Sequence, residues 1–277
     1  MNRLLFACYG ANFDGYELLH DIVKATSEYS AGVELTVFSK VSRRPEHVFG
    51  LMREVIPFKD TYVTLHGPYY EVEAASEEGS AENEYFFDSY RQAFGIYKAF
   101  GAHSMVVHTN QFAFDYSKRP EMMAMSKKTL TRLAKMAEEA EVNLLVENVG
   151  EPLHENVLYD QEAFIKLFDV LPESAGALID IGHAIVNGWD LFKVIDALGA
   201  RIRGYHIHNN DGTKDQHLPL FTKGLKYSNE LMEDLLRYME EKTPRSEWIL
   251  EYCPGPHITP ENIKADMDRI MECLRAK

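Results

Sequence analysis

Short apolar segments alternate with longer amphipathic segments along most of the chain. The short segments are rich in Val, Ile, Leu and aromatic residues and are bounded by polar residues or Gly, which predicts strands that are buried on both faces. These predicted strands cover residues 4–9, 32–35, 62–65, 104–107, 143–146, 175–179, 202–207 and 248–250. Strands of this kind are typical of a parallel sheet that is covered by helices.

The longer segments repeat their apolar residues with the period of an α-helix. Leu231, Leu235 and Met239, for example, recur every four residues within residues 228–242, as they would on one face of a helix. The same periodicity predicts helices over residues 83–100, 128–141, 160–171, 189–198 and 259–274. Thr259 followed by Pro260 is typical of an N-cap residue with proline in the first helical position.

The alternation of eight strands with helices over 277 residues predicts an α/β fold, a (β/α)8 TIM barrel, with residues 1–277 as a single domain. A doubly wound open sheet is the alternative. Such a sheet usually carries a Gly-rich nucleotide-binding turn after a strand, and the sequence has no such turn. The barrel is therefore the favoured architecture.

Composition limits the classes of function. With 29 Lys and Arg against 43 Asp and Glu, the formal net charge is −14, which makes nucleic acid an improbable partner but does not exclude a local basic patch. Three Cys are too few for a disulfide framework. The apolar segments are too short for a signal peptide or a membrane span. We therefore expect a cytoplasmic protein with no membrane partner, and homo-oligomer formation stays open.

The residues that close the predicted strands carry the candidate chemistry, because the active face of a TIM barrel lies at the C-terminal ends of its strands. Six of the eleven His fall there beside several carboxylates: His66, His108, Glu147, Asp180, His183, His206, His208, Asp215, His217 and Glu251, while Glu34 ends the second strand. Charged groups are seldom buried unless they are paired or bind a metal. Imidazoles and carboxylates together suit Zn²⁺ or Mn²⁺, with Mg²⁺ or Co²⁺ still open.

Five segments give the chain a family resemblance: residues 65–69 (LHGPY), 146–148 (VEN), 179–184 (IDIGHA), 203–207 (RGYHI) and 215–219 (DQHLP). On these segments the chain resembles the xylose isomerase-like TIM-barrel superfamily. This superfamily includes sugar-phosphate isomerases and epimerases, ketose 3-epimerases and endonuclease IV-type AP endonucleases.

The resemblance implies a metal core made of Glu147, Asp180, one His of the seventh strand, and Glu251. Both His206 and His208 could be the ligand from that strand. We expect His206 because it directly follows residues 203–205, the position in which the endonuclease-like motif has its ligand, and His208 would then support the site or bind substrate. The resemblance to the endonuclease IV-like members implies further ligands. These are His66 and His108 for a second ion that Glu147 would bridge, and His183, Asp215 and His217 for a third.

The resemblance also implies the leading function, a metal-dependent isomerase or epimerase of a sugar, sugar phosphate or related polyol, with a small carbohydrate as its substrate. Glu147 and Glu251 would move a proton next to a carbonyl through a metal-stabilised enediolate. The alternatives are zinc-dependent phosphodiester hydrolysis at abasic DNA sites, another metal-dependent reaction on a polyol such as dehydration, and a barrel that binds metal without catalysis.

Two groups of residues bear on the substrate. Tyr69 follows the third strand and could stack on a sugar or a base. The loop after the second strand carries the basic residues Lys40, Arg43 and Arg44, which could hold a phosphate. The loop after the third strand is acidic, with Glu71, Glu73, Glu77, Glu78, Glu82 and Glu84. We expect these carboxylates to stand beside the active face and to repel a DNA backbone over about 8 Å at physiological salt.

Overall fold

The computed structural model describes residues 3–8, 13–37, 60–253, 255 and 258–275. Eight parallel strands form a closed barrel in the order of the sequence. They are β1 (Arg3–Cys8), β2 (Gly32–Thr36), β3 (Val63–His66), β4 (Met105–His108), β5 (Leu144–Glu147), β6 (Gly176–Asp180), β7 (Ile202–Ile207) and β8 (Glu247–Leu250). Each strand lies within one residue of its predicted bounds, and the predicted TIM barrel is confirmed.

Helices surround the barrel. Within the described residues they are α1 (Phe13–Ala25), α2 (Ala81–Phe100), α3 (Arg119–Glu139), α4 (Gln161–Leu167), α5 (Ile181–Val186), α6 (Leu191–Leu198), α7 (Asn229–Lys242) and α8 (Pro260–Arg275). Helices α1 and α5 were not predicted, the predicted α3 began nine residues late, and the predicted α4 extended four residues too far. The predicted cap of α8 is present, since the hydroxyl of Thr259 accepts a hydrogen bond from the backbone of Asn262 at 3.2 Å.

The barrel interior is built in layers, because alternate residues of a strand point to the same face. Leu5, Val106, Leu145, Leu178 and Ile249 form a buried apolar cluster inside the barrel. The next inward positions on three of these strands are His108, Glu147 and Asp180, and Glu251 stands two residues after Ile249. The apolar cluster therefore forms the floor of a polar layer at the C-terminal ends of the strands.

A buried carboxylate also lies at the opposite, N-terminal end of the barrel. Glu247, the first residue of β8, accepts hydrogen bonds from the hydroxyls of Tyr62 at 2.6 Å and Ser104 at 2.5 Å.

In the part of the chain that the structure describes, no helix is long and apolar enough to cross a membrane.

Candidate metal centre

Four buried side chains from β5, β6, β7 and the end of β8 converge on one point. Nδ1 of His206 lies 3.1 Å from Oε1 of Glu147, 3.1 Å from Oε2 of Glu251 and 3.8 Å from Oδ2 of Asp180. One possible ligand atom from each of the four lies within 4.8 Å of the others. The structure thus brings together the four residues that the sequence analysis expected to share a metal ion. They are called the central group below.

The central group fits a divalent cation. Oε2 of Glu147 and Oε2 of Glu251 are buried, and among the described residues their contacts of 3.1 to 3.6 Å with imidazole nitrogens lack hydrogen-bond geometry. Such a position is costly for a carboxylate unless a cation lies beside it. Three carboxylates and one imidazole also form a donor set that Mn²⁺, Zn²⁺ and related ions accept.

The charges of the central group are strongly coupled. Burial raises the pKa of Glu147, but the positive charges of His206 and His108 outweigh this effect and hold its pKa well below its usual range. Burial lowers the pKa of His206, but Glu251, Glu147 and Glu34 raise it well above its usual value. In the metal-free protein, protons on imidazoles therefore balance the carboxylates. A cation that takes their place would release protons to solvent.

A second group lies beside the central one and shares Glu147. Nε2 of His66 and Nε2 of His108 are 3.1 Å apart, and they lie 3.6 and 3.3 Å from Oε2 of Glu147. Nδ1 of His66 contacts the carbonyl of Gly67 at 3.0 Å, and Nδ1 of His108 contacts Oε1 of Gln111 at 2.9 Å. Such contacts orient an imidazole, so both Nε2 atoms face the same carboxylate oxygen.

A third group consists of His183, Asp215 and His217. Oδ2 of Asp215 lies 3.3 Å from Nε2 of His183 and 2.6 Å from Nε2 of His217. The other nitrogens of both rings contact backbone carbonyls, those of Asn148 and Glu251, each at 3.0 Å. All ten strand-end residues thus lie in or beside one continuous cluster.

His208 lies between the central and third groups. Its Nε2 is 3.1 Å from Oδ2 of Asp180, and its ring stacks on that of His217 with centroids 3.9 Å apart. The ring packs so tightly against Gly182 that a Cβ at that position would overlap it. His206, and not His208, contacts both Glu147 and Glu251; the preference for His206 as the metal ligand stays a prediction.

Three further residues contact the cluster and had no predicted role. Glu34 contacts Nε2 of His206 at 2.9 Å. Asn148 pairs with the backbone of Asp180 through both of its side-chain atoms, at 3.0 and 2.8 Å. Glu151 accepts a hydrogen bond of 2.5 Å from the backbone N–H of Asp215. A polar residue at the end of an apolar strand was the available signal for Glu34 and Asn148.

The predicted substrate contacts have different outcomes. The ring of Tyr69 lies 4.9 Å from that of His66 and 5.3 Å from that of His108, so it borders the second group. Lys40 and Arg43 lie outside the described residues.

The expectation of an acidic wall after β3 is partly wrong. Glu73 is buried, and its carboxylate accepts hydrogen bonds from the backbone of Ala75, Gln111 and Phe112 at 2.7 to 3.0 Å. It ties the loop after β3 to the loop after β4. Glu78 forms an ion pair with Lys128 of α3. The carboxylates of Glu73 and Glu78 are therefore engaged in contacts within the protein, which the sequence alone did not indicate.

Comparison with known proteins identifies the family. The sequence model described as "Xylose isomerase-like TIM barrel" matches residues 30–275. The chain belongs to this xylose isomerase-like family. No curated protein sequence matches it significantly.

Similar solved structures come from more than one class of protein. A D-tagatose 3-epimerase-like protein has 16% identity and a TM-score of 0.76, with 98% of each chain covered. A Thermus thermophilus protein soaked with ZnCl2 has 18% identity and a TM-score of 0.69, with 98% of this chain and 96% of that chain covered. Endonuclease IV from Thermus thermophilus has 20% identity and a TM-score of 0.63, with 99% and 100% covered. At these identities the likeness establishes the fold alone.

Proposed function

We propose that this protein is a divalent-metal-dependent isomerase or epimerase of a sugar, sugar phosphate or related polyol. One observation carries the proposal: Glu147 and Glu251 reach the same imidazole nitrogen of His206 from β5 and from the end of β8, each at 3.1 Å. Isomerisation next to a carbonyl needs one group that removes a proton from carbon and one that returns it. Two carboxylates that converge on one nitrogen from different strands can supply both.

Glu147, Asp180, His206 and Glu251 would hold the metal ion, with Zn²⁺ or Mn²⁺ expected and Mg²⁺ or Co²⁺ also compatible with the donors. When bound, such an ion polarises a carbonyl and stabilises the negative charge of an enediolate. The likeness to an epimerase-like structure supports this chemistry.

The carboxylates are suited to move the proton. Oε2 of Glu147 and Oε2 of Glu251 have no hydrogen-bond partner among the described residues, and the pKa of each carboxyl is depressed by the neighbouring imidazoles despite burial. Both groups are therefore ionised at neutral pH and can act as a base. In an epimerase, one carboxylate would take the proton from one face of the carbon, and the other, once it has taken up a proton from solvent, would return it to the opposite face.

The remaining side chains bind and orient the substrate in this proposal. Tyr69 borders the second group and would pack against the carbon face of the sugar. Lys40 and Arg43, on the loop after β2, would bind a phosphate if the substrate carries one.

Deuterium exchange tests the proposal. The metal-free protein would be loaded with Mn²⁺ or Zn²⁺ and incubated in D2O with a panel of ketoses and aldoses, with and without phosphate. We expect deuterium at the carbon next to the carbonyl of at least one sugar, and a loss of at least about 100-fold in Glu147→Gln and Glu251→Gln. Glu77→Gln, which changes an exposed carboxylate, is the control. Absence of exchange with every metal and sugar would contradict the proposal.

A second candidate function is zinc-dependent phosphodiester hydrolysis at abasic DNA sites. The observation that favours it is the presence of three adjoining ligand groups, whereas a single-ion isomerase needs one. Clustered zinc ions activate water and stabilise a leaving oxygen. An oligonucleotide with one abasic site, incubated with zinc-loaded protein, decides between the two functions. Cleavage that is lost in Glu147→Gln and in Asp215→Asn, without sugar exchange, would make hydrolysis the function.

A further inference from the structure

Glu34 occupies an unusual position for a carboxylate. It belongs to β2, is only 1% exposed, and lies inside the barrel. Its Oε2 accepts a hydrogen bond from the hydroxyl of Thr64 at 3.0 Å, and these two residues are register partners on adjacent strands. Its Oε1 lies 2.9 Å from Nε2 of His206. Among the described residues, His206 is the ion-pair partner that the structure gives it.

The ring of His206 therefore separates two sets of carboxylates. Glu34 contacts its Nε2, while Glu147 and Glu251 lie at its Nδ1, each 3.1 Å away. A neutral imidazole binds a metal through the nitrogen that has no proton, and the contact made by the other nitrogen decides which one that is. A carboxylate can only accept a proton. Carboxylates at both nitrogens favour a proton on each in the metal-free protein. When a cation replaces the proton at Nδ1, between Glu147 and Glu251, the contact with Glu34 keeps the other proton on Nε2.

We propose that Glu34, oriented by Thr64, is a positioning residue that keeps the proton of His206 on Nε2 and directs Nδ1 to a divalent cation in the central group. This inference rests on the proposed metal centre and not on which reaction that centre performs. It concerns binding of the ion and the state of one imidazole, both of which can be measured without substrate.

Glu247 supplies a matched control. It is also a buried carboxylate of the barrel, 7% exposed, but it lies at the N-terminal end and its hydrogen bonds come from the hydroxyls of Tyr62 and Ser104. Glu247→Gln therefore tests what the loss of a buried barrel carboxylate does by itself. Glu34→Gln removes the charge next to His206 with almost no change in volume, and Thr64→Val removes the hydroxyl that orients Glu34.

The experiment compares the full-length wild type with these three variants. Affinity for Zn²⁺ and for Mn²⁺ is measured by competition with a chelator. The protonation of His206 in the zinc-loaded protein is read from long-range ¹H–¹⁵N spectra, with its signals assigned by their loss in His206→Asn. We expect Glu34→Gln to weaken the binding of one ion by about 10- to 100-fold, Thr64→Val to weaken it less, and Glu247→Gln to bind as the wild type does. The wild type should carry its proton on Nε2, and this proton should exchange faster with water in Glu34→Gln.

Three results would overturn the inference: unchanged affinity in Glu34→Gln, an equal loss in Glu247→Gln, or a proton on Nδ1 of His206 in the wild type. If Glu34→Gln does not fold, the metal affinity of Thr64→Val and the position of the His206 proton in the wild-type spectrum test the inference in its place. If the wild type binds no divalent ion, the proposed function is refuted as well. If the wild type binds metal and Glu34→Gln binds it with the same affinity, this inference alone is refuted.

Discussion

Nε2 of His217 lies 2.6 Å from Oδ2 of Asp215, although the two residues are only two positions apart in the chain. The backbone makes this contact by placing His217 in the left-handed region, with φ of 47°, which few residues other than Gly adopt. Glu151 holds the N–H of Asp215, and the N–H of Cys253 donates to the carbonyl of His217 at 2.9 Å. Contacts on both sides of the loop thus maintain a backbone conformation that costs energy.

The pairing of His217 with Asp215 predicts how the stability of the metal-free protein depends on pH. Burial lowers the pKa of His217, but the hydrogen bond with Asp215 and the charge of Glu251 outweigh it and raise the pKa to about 9. A histidine whose pKa is raised by folding stabilises the protein fully below its unfolded value of 6.5, and this contribution is lost as the pH rises through 9. The difference corresponds to about 3 kcal/mol.

Urea unfolding in the presence of a chelator, at pH values between 6 and 10, measures this dependence. His217→Asn is the matched variant, because Asn tolerates the left-handed region and does not titrate. We expect its free energy of unfolding to fall less steeply with pH than that of the wild type. Equal slopes in the two proteins would contradict the coupling. Bound metal should flatten the wild-type slope, since the ion replaces the proton.

The contact between Gly182 and His208 predicts a large effect from one methyl group. A Cβ at Gly182 would overlap the His208 ring, and because that ring is held between Asp180 and His217, it has little room to move. We expect Gly182→Ala to lower the free energy of unfolding by about 1–3 kcal/mol. We also expect it to weaken metal binding, because the displaced His208 ring would move Asp180.

Gly95 provides the control for this prediction. It lies within α2, and apart from its chain neighbours and the backbone of its own helix, no described atom lies within 4 Å of the position that a Cβ would take. Gly95→Ala should therefore stabilise the protein by up to about 1 kcal/mol, as Ala favours the helix. Thermal unfolding of both variants provides the comparison. A Gly182→Ala protein as stable as the Gly95→Ala protein would show that the His208 ring can relocate freely.

The sequence could predict the strands and most of the side chains of the candidate metal centre because both leave local signals. An apolar run that ends in His, Asp or Glu marks a barrel strand and its active end, as at His108, Glu147 and Asp180. The choice between His206 and His208 is not local, because both fall on one face of the same strand. The preference for His206 stays a prediction, and the contacts that bear on it, with Glu147 and Glu251, come from other strands.

Other features could not be predicted because their partners are distant in the chain. Glu34 acquires its role from His206, which is 172 positions away. Glu73 looked like one more acidic loop residue, but its partners are backbone groups on the neighbouring loop, at Gln111 and Phe112. Helix α5 has six residues, which is too short for a periodic pattern, and it begins where Asp180 caps it.

The buried carboxylate of Glu73 predicts a structural role for the loop after β3. In Glu73→Gln, an amide nitrogen replaces one of the two oxygens, so at least one of the backbone N–H groups of Ala75, Gln111 and Phe112 loses its acceptor. A buried donor without a partner costs about 1–3 kcal/mol. We expect the free energy of unfolding to fall by this amount. For Glu77→Gln, which changes an exposed side chain, the free energy of unfolding should change by no more than about 0.5 kcal/mol. Equal changes in the two variants would show that the hydrogen bonds of Glu73 do not stabilise the loop.

The three ligand groups predict different metal contents with different ions. The central group has three carboxylates and one imidazole, whereas the second and third groups each have two imidazoles and one carboxylate. Imidazole-rich sites favour Zn²⁺, and Mn²⁺ prefers oxygen ligands. We expect the wild type to retain three Zn²⁺ after dialysis but one Mn²⁺, as measured by elemental analysis.

Two substitutions separate these groups. Asp215→Asn should remove one Zn²⁺ and leave the Mn²⁺ content unchanged, because Asp215 belongs to the third group alone. Glu147→Gln should remove two Zn²⁺ and the Mn²⁺, because Oε1 of Glu147 faces His206 in the central group and Oε2 faces His66 and His108 in the second. If Glu147→Gln lost no more zinc than Asp215→Asn, the two oxygens would not serve two ions, and the second group would be a set of hydrogen-bonded imidazoles.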